Sequence, residues 1–90
     1  MRYPFLTLDD QTEIVHSEMK AGGSVKVYME RPDEKDCFHY ATYYLPMYRW
    51  EYVFGFSVED MNRLKDVVES TAQLILCTSQ SQTIEKTTHG

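Results

Sequence analysis

The chain has 90 residues, 42% hydrophobic and 26% charged, with a net charge of −5. That length makes one small domain with a single core. The acidic balance, with no basic grouping larger than Arg63 and Lys65, argues against a nucleic-acid backbone as main partner and is too mild for a mimic of DNA charge. No apolar run approaches the ~20 residues that span a membrane. Met1-Arg2-Tyr3-Pro4-Phe5 lacks the apolar stretch and cleavage site of a signal peptide, so a cytoplasmic chain is expected. Cys37 and Cys77 lie far apart in sequence and read as reduced, mostly buried thiols.

Tyr3 to Leu8 is extended in character, with Pro4 suited to an edge or a strand start. Asp9-Asp10-Gln11 signals a turn, and Thr12 to Met19 reads as a second strand. After the break at Ala21-Gly22-Gly23-Ser24, Val25 to Arg31 alternates, with Val25, Val27 and Met29 on one face. A two-residue Gly22-Gly23 turn would set Glu18 and His16 against Val27 and Met29. A five-residue loop, Lys20 to Ser24, pairs Met19, Ser17 and Val15 with Val25, Val27 and Met29, and sets Glu18 across from Lys26 and His16 across from Tyr28. The longer loop keeps polar with polar and is the expected register.

Arg31 to Asp36 is a charged turn with a proline. Cys37 to Leu45 forms the next strand, and its inward face is open: Cys37, Ala41 and Leu45 make one apolar set, Phe38, Tyr40 and Tyr44 another. Pro46 ends it. Arg49 to Phe54 forms a short last strand with Trp50, Tyr52 and Phe54 alternating against Glu51 and Val53. Ser57 is a helix N-cap followed by Glu59 and Asp60, which suit the positive end of the dipole, and Phe56 is placed to staple onto Met61. Met61, Leu64, Val68, Ala72 and Ile75 step by three and four, with Val67 and Leu74 widening the stripe. The expected helix, Val58 to about Leu76, would be roughly 28 Å long. From Thr78 the composition turns to Ser, Thr and Gln.

The expected fold is α+β: an antiparallel meander of four to five strands with one C-terminal amphipathic helix packed on one face. Residues 1–77 would be the single domain and 78–90 a loose polar tail.

Candidate chemistry is thin. Cys37 and His39 share a strand face, with His16 a possible third ligand, but structural zinc sites take four ligands in paired spacings that are incomplete here. A thiolate nucleophile needs a base within hydrogen-bond reach, and residues i and i+2 on a strand stand some 6–7 Å apart at ~3.3 Å per residue. Asp9-Asp10, Glu34 with Asp36, and Glu59-Asp60 sit at turns or a helix start, where acids have local structural uses. Gly22-Gly23 lacks the Lys-Ser/Thr of a phosphate loop. The reading therefore assigns no enzymatic activity, no catalytic, cofactor-binding or metal-binding residue, and no cofactor.

What remains is aromatic. Nine of the twelve aromatic residues lie between Phe38 and Phe56. One helix covers one face of a sheet, so some of these rings must meet water, a second copy or a partner. Tyr and Trp concentrate in interfaces because they give large contact area at low entropic cost. The expected interaction surface is Tyr28, Tyr40, Tyr44, Tyr48, Trp50 and Tyr52, used on a protein partner or in a homodimer. The alternative is a ligand- or nucleic-acid-binding module using the same rings, although the basic surround of a base-stacking platform is missing.

Pro4-Phe5-Leu6-Thr7-Leu8, Thr12-Glu13-Ile14-Val15-His16-Ser17, Glu30-Arg31-Pro32 and Gly55-Phe56-Ser57 together resemble a group of short, uncharacterised proteins of bacterial mobile elements. The likeness spans most of residues 4–76. It implies no activity or site, and points to a small accessory or inhibitory protein, such as an antitoxin or an inhibitor of host defence.

Overall fold

Five strands and two helices make up the computed structural model, which describes residues 2–89, for 81–89 by their backbone alone. The strands are β1 (Arg2–Thr7), β2 (Glu13–Ser17), β3 (Val25–Asp33), β4 (Cys37–Leu45) and β5 (Arg49–Phe54), followed by α1 (Val58–Ser70) and α2 (Ala72–His89). They form one sheet in the order β1-β2-β3-β4-β5, every neighbouring pair antiparallel. This is the α+β meander that the alternating strands and the C-terminal stripe imply.

The inward face is set by β3, whose Val25, Val27 and Met29 are fully buried. They are joined by Ile14, Ala41, Tyr43 and Leu45 from the neighbouring strands and by Leu64, Val68, Ala72 and Ile75 from the helices. Each of the valine, leucine, isoleucine and methionine side chains among them contributes about 1.5–3 kcal/mol on leaving water. The open question of β4 is thereby decided: Ala41, Tyr43 and Leu45 face the core, while Phe38 and Tyr40 face out.

The β2–β3 register differs from the expected one by one residue. Ile14 stands opposite Met29, Val15 opposite Tyr28 and His16 opposite Val27. The expectation rested on keeping His16 off the core face, yet His16 is fully buried there. Its Nδ1 lies 2.8 Å from the Ser17 carbonyl oxygen and 3.0 Å from Ser79 Oγ on α2, and the rings of Tyr3 and Phe5 pack beside it. A buried polar group is tolerated where it finds a hydrogen-bond partner. That partner lies beyond residue 77, in the stretch read as a loose tail. Thr78, Ser79 and Gln80 are helical, Ser79 is fully buried and its hydroxyl donates to the Ser17 carbonyl at 3.1 Å. The side chains of residues 81–90, where the rest of that expected tail falls, lie outside the described residues.

The single expected helix is two, with a break at Thr71 (φ −111°, ψ 8°). Ser70 Oγ donates back to the Val67 carbonyl at 3.0 Å and Thr71 Oγ1 to the same oxygen at 2.8 Å. Hydroxyls that compete in this way for backbone acceptors bend or end helices. The apolar stripe nonetheless runs through the break, from Leu64 and Val68 to Ala72 and Ile75, while Leu74 is exposed. At the other end, Ser57 Oγ accepts from the Asp60 N–H at 3.1 Å and Asp60 Oδ2 accepts from the Ser57 N–H at 3.3 Å, a reciprocal cap. Both cysteines are free and exposed rather than buried. Cys37 follows the charged turn with φ +68°, so it does not continue the inward alternation of β4. Among the described residues no helix is long and apolar enough to cross a membrane.

Candidate interaction surface

The face of the sheet away from the helices is organised by register. Cross-strand opposites share a face, so Thr7, Glu13, Glu30, Tyr40 and Phe54 stand in one row across all five strands. The next row is Pro4, Val15, Tyr28, Thr42 and Glu51, and beyond it Lys26, Tyr44 and Arg49. The face is therefore graded, with carboxylates and aromatic rings at one end and basic residues at the other.

The tyrosines are not equivalent. The Arg2 guanidinium sits 3.9 Å from the Tyr28 ring centre and 3.2 Å from Glu30 Oε1. Lys26 and Arg49 each lie 5.5 Å from the Tyr44 ring, whose hydroxyl donates to Glu51 Oε1 at 2.8 Å. Tyr28 and Tyr44 are thus half-buried under cations of their own chain. Tyr40 differs: it stacks on Phe54 with ring centres 5.4 Å apart and planes 22° from parallel. Tyr40, Phe54 and the neighbouring Phe38 are 45%, 44% and 52% exposed. With Glu30, Asp36 and Cys37 they line a shallow groove of about 360 Å³. Glu30 also borders the two adjoining depressions, with Arg2 and Tyr28 on one side and Gln11, Pro32 and Phe38 on the other.

Of the six expected anchors, then, Tyr28, Tyr40 and Tyr44 lie on this face. Trp50 points the other way, against the buried Tyr43 with ring centres 4.7 Å apart. Tyr48, in the β4–β5 turn, and Tyr52, on the edge strand, are exposed (50% and 71%) but belong to neither the groove nor its row. Strict alternation would put Phe54 on the same side as Trp50. It does not, because the β4–β5 register shifts between Tyr40 and Thr42, leaving Tyr52 and Val53 opposite Ala41 alone. Tyr52 takes φ +54° there. The bulge turns Phe54 onto the outer face. Phe38 and Phe54 are the surface residues that sequence reasoning missed. Phe38 was accessible to it as one of the two candidate outer sets of β4, whereas no glycine marks the bulge.

Cys37, His39 and His16 are not brought together. His16 is in the core, and the Cys37 thiol opens onto the outer groove. His39 lies on the inner side, edge-on to Phe56 at 5.9 Å. Its Nε2 is 3.2 Å from Asp36 Oδ2 and 3.6 Å from Asp33 Oδ1, the grouping with the donor set to hold a cation. The fit is poor. A histidine that ligates a metal usually donates its second N–H to an acceptor, whereas His39 Nδ1 faces an Arg31 Nη2 donor at 3.4 Å. Asp33 Oδ2 is already taken by the N–H groups of Lys35 and Asp36, and the Asp36 N–H leads in holding that carboxyl below its ordinary range.

Beside this ring lies a charge cluster that ties three segments together. Arg31 donates to Asp10 Oδ2 at 3.1 Å and to Asp60 Oδ2 at 3.0 Å, and Arg63 also meets Asp10. Burial pushes the Asp10 carboxyl up, but the Thr12 N–H and the two guanidiniums outweigh it and hold it well below the usual range. Asp60 is lowered chiefly by Arg31, and Arg31 is raised chiefly by Asp60. The cluster joins the β1–β2 turn, the end of β3 and the start of α1, and so fixes the acidic end of the sheet.

Compared with protein-family models, with curated proteins and with solved structures, the chain matches none.

Proposed function

We propose that the chain is a small, non-enzymatic interaction domain that binds another protein through the outer face of its sheet. The observation that carries this reading is the contiguous exposed group Phe38, Tyr40 and Phe54, on a face that the chain's helices leave open. Exposed aromatic groups of this kind mark interaction sites on soluble domains. Self-association that lays the acidic end of one copy on that of another is disfavoured, since Glu13 and Glu30 already stand directly opposite each other and a second copy would add more like charge there. Stacking of nucleic-acid bases is disfavoured by the same carboxylates, which repel phosphate. A cytoplasmic accessory or inhibitory role on a mobile element, antitoxin-like or directed at host defence, accords with this reading.

The test is capture from a host lysate with wild-type protein and a Phe38→Ser/Tyr40→Ser variant, both checked for folding by circular dichroism. The proposal expects a protein retained by the wild type and lost with the variant. Retention of the same proteins by both, or of nucleic acid in place of protein, would overturn it.

A further inference from the structure

We infer that the groove between Tyr40, Phe54 and Phe38 is a seat for a cationic side chain, foremost an arginine guanidinium, presented by a basic segment of the partner protein. The inference rests on the proposed interaction role and names its chemistry. Three observations support it.

The groove combines two features that attract a cation. A stacked pair of aromatic rings offers its faces, and Glu30 and Asp36 stand on the rim. Rings attract a cation by their quadrupole and carboxylates by charge, and the planar guanidinium can stack and hydrogen-bond at once. Next, the chain performs the same recognition on itself one and two rows away. Arg2 lies over Tyr28 and pairs with Glu30, and Lys26 and Arg49 flank Tyr44. Yet among the described residues no lysine or arginine lies over Phe38, Tyr40 or Phe54. The third observation is the repulsive Glu13–Glu30 pairing in the row that leads to Tyr40. Like charges directly opposite on a sheet are unfavourable, and Arg2 reaches only Glu30. A second cation in this row would relieve that repulsion. A partner offering an acidic or purely apolar surface would make it worse or leave it unchanged.

The experiment is a chemical-shift titration of the full chain with a short glycine peptide carrying two arginines, and with its citrulline counterpart, which keeps the shape and removes the charge. The arginine peptide is expected to give saturable shifts at the Phe38, Tyr40 and Phe54 rings, weakened by added salt, and the citrulline peptide none. Tyr40→Leu and Glu30→Gln, both changes at the surface, should each weaken binding about two- to fivefold, the range set by exposed cation–ring and ion-pair contacts. Equal binding of the citrulline peptide would overturn the inference. So would shifts confined to acidic positions on α1 such as Glu59 and Asp66, or variants that bind as well as wild type. If lysate capture depends on Tyr40 while the arginine peptide leaves the groove unmoved, the cation seat fails alone and the interaction role stands.

Discussion

Replacing Arg31 with methionine keeps the aliphatic length of the side chain and removes its charge from the cluster at the start of α1. In the folded protein the Asp10 and Asp60 side chains are 26% and 24% exposed and Arg31 is 20% exposed. The substitution leaves two mostly buried carboxylates with Arg63 as their remaining partner in the cluster, and it removes the guanidinium from the Phe56 ring 5.1 Å away. Fully exposed pairs contribute ~0.2–1 kcal/mol, while removing one partner of a buried pair costs about 3–5 kcal/mol. The partial exposure here places the cost at about 2–3 kcal/mol, or a melting temperature lower by roughly 10–20 °C for a domain of this size. The pH dependence carries a sign. Both carboxyls lie below their ordinary value of 3.8 in the folded state, so their stabilisation is present above that value and is lost as pH falls through the lowered folded values. Urea titrations of wild type and variant should therefore show the full difference at pH 7 and a shrinking one below pH ~4. A difference under about 0.5 kcal/mol at pH 7, which is the scale of an ordinary surface change, would refute the reasoning. So would a difference as large at pH 2 as at pH 7.

Three further outcomes are expected. Gly55 has φ +86°, and a Cβ there would run into the His39 ring, so Gly55→Ala should cost at least about 1–2 kcal/mol from the backbone alone, read as a lowered thermal midpoint. Ser79→Ala removes the hydroxyl that meets His16 Nδ1 and the Ser17 carbonyl. It should destabilise by about 1–3 kcal/mol in chemical denaturation, since buried polar groups lose a partner, and no change would mean that α2 does not dock there. Tyr43 is raised well above the ordinary tyrosine range by burial and by donation to Glu69 Oε2 at 2.8 Å, so an alkaline ultraviolet titration should show a late ionisation that Tyr43→Phe removes. Tyr43→Phe should cost about 0.5–1.5 kcal/mol.

The parts of the fold visible in the sequence were those dictated by local periodicity. The alternation of Val25, Val27 and Met29, the Ser57 cap and the stripe of Met61, Leu64, Val68, Ala72 and Ile75 each needed only neighbouring residues to interpret. What escaped depended on distant partners. His16 could be placed on the core face only by knowing that Ser79 would reach it, some sixty positions later. The helix break at Thr71 came from hydroxyls whose competition for Val67 is weak in any propensity sense. The surface was half legible: Tyr28, Tyr40 and Tyr44 were among the rings proposed for it, but the inward face of β4 stayed open in the sequence, and the bulge opposite Ala41 parted Phe54 from Trp50 and changed the composition of the exposed group. Nor could the sequence tell which tyrosines would be covered by Arg2, Lys26 and Arg49 and which left bare.

The central claim is that the partner meets the outer sheet face rather than the β4–β5 turn. It is tested most directly by photo-crosslinking in the cells that naturally make the chain, with benzoylphenylalanine replacing Tyr40 in one variant and Tyr48 in another. Both positions are exposed to a similar degree, 45% and 50%, so reactivity with bulk solvent does not separate them. The account predicts a heavier adduct with a different protein from position 40 and none from position 48. An adduct from position 48 alone, or an adduct from position 40 of twice the chain's own mass, would contradict it.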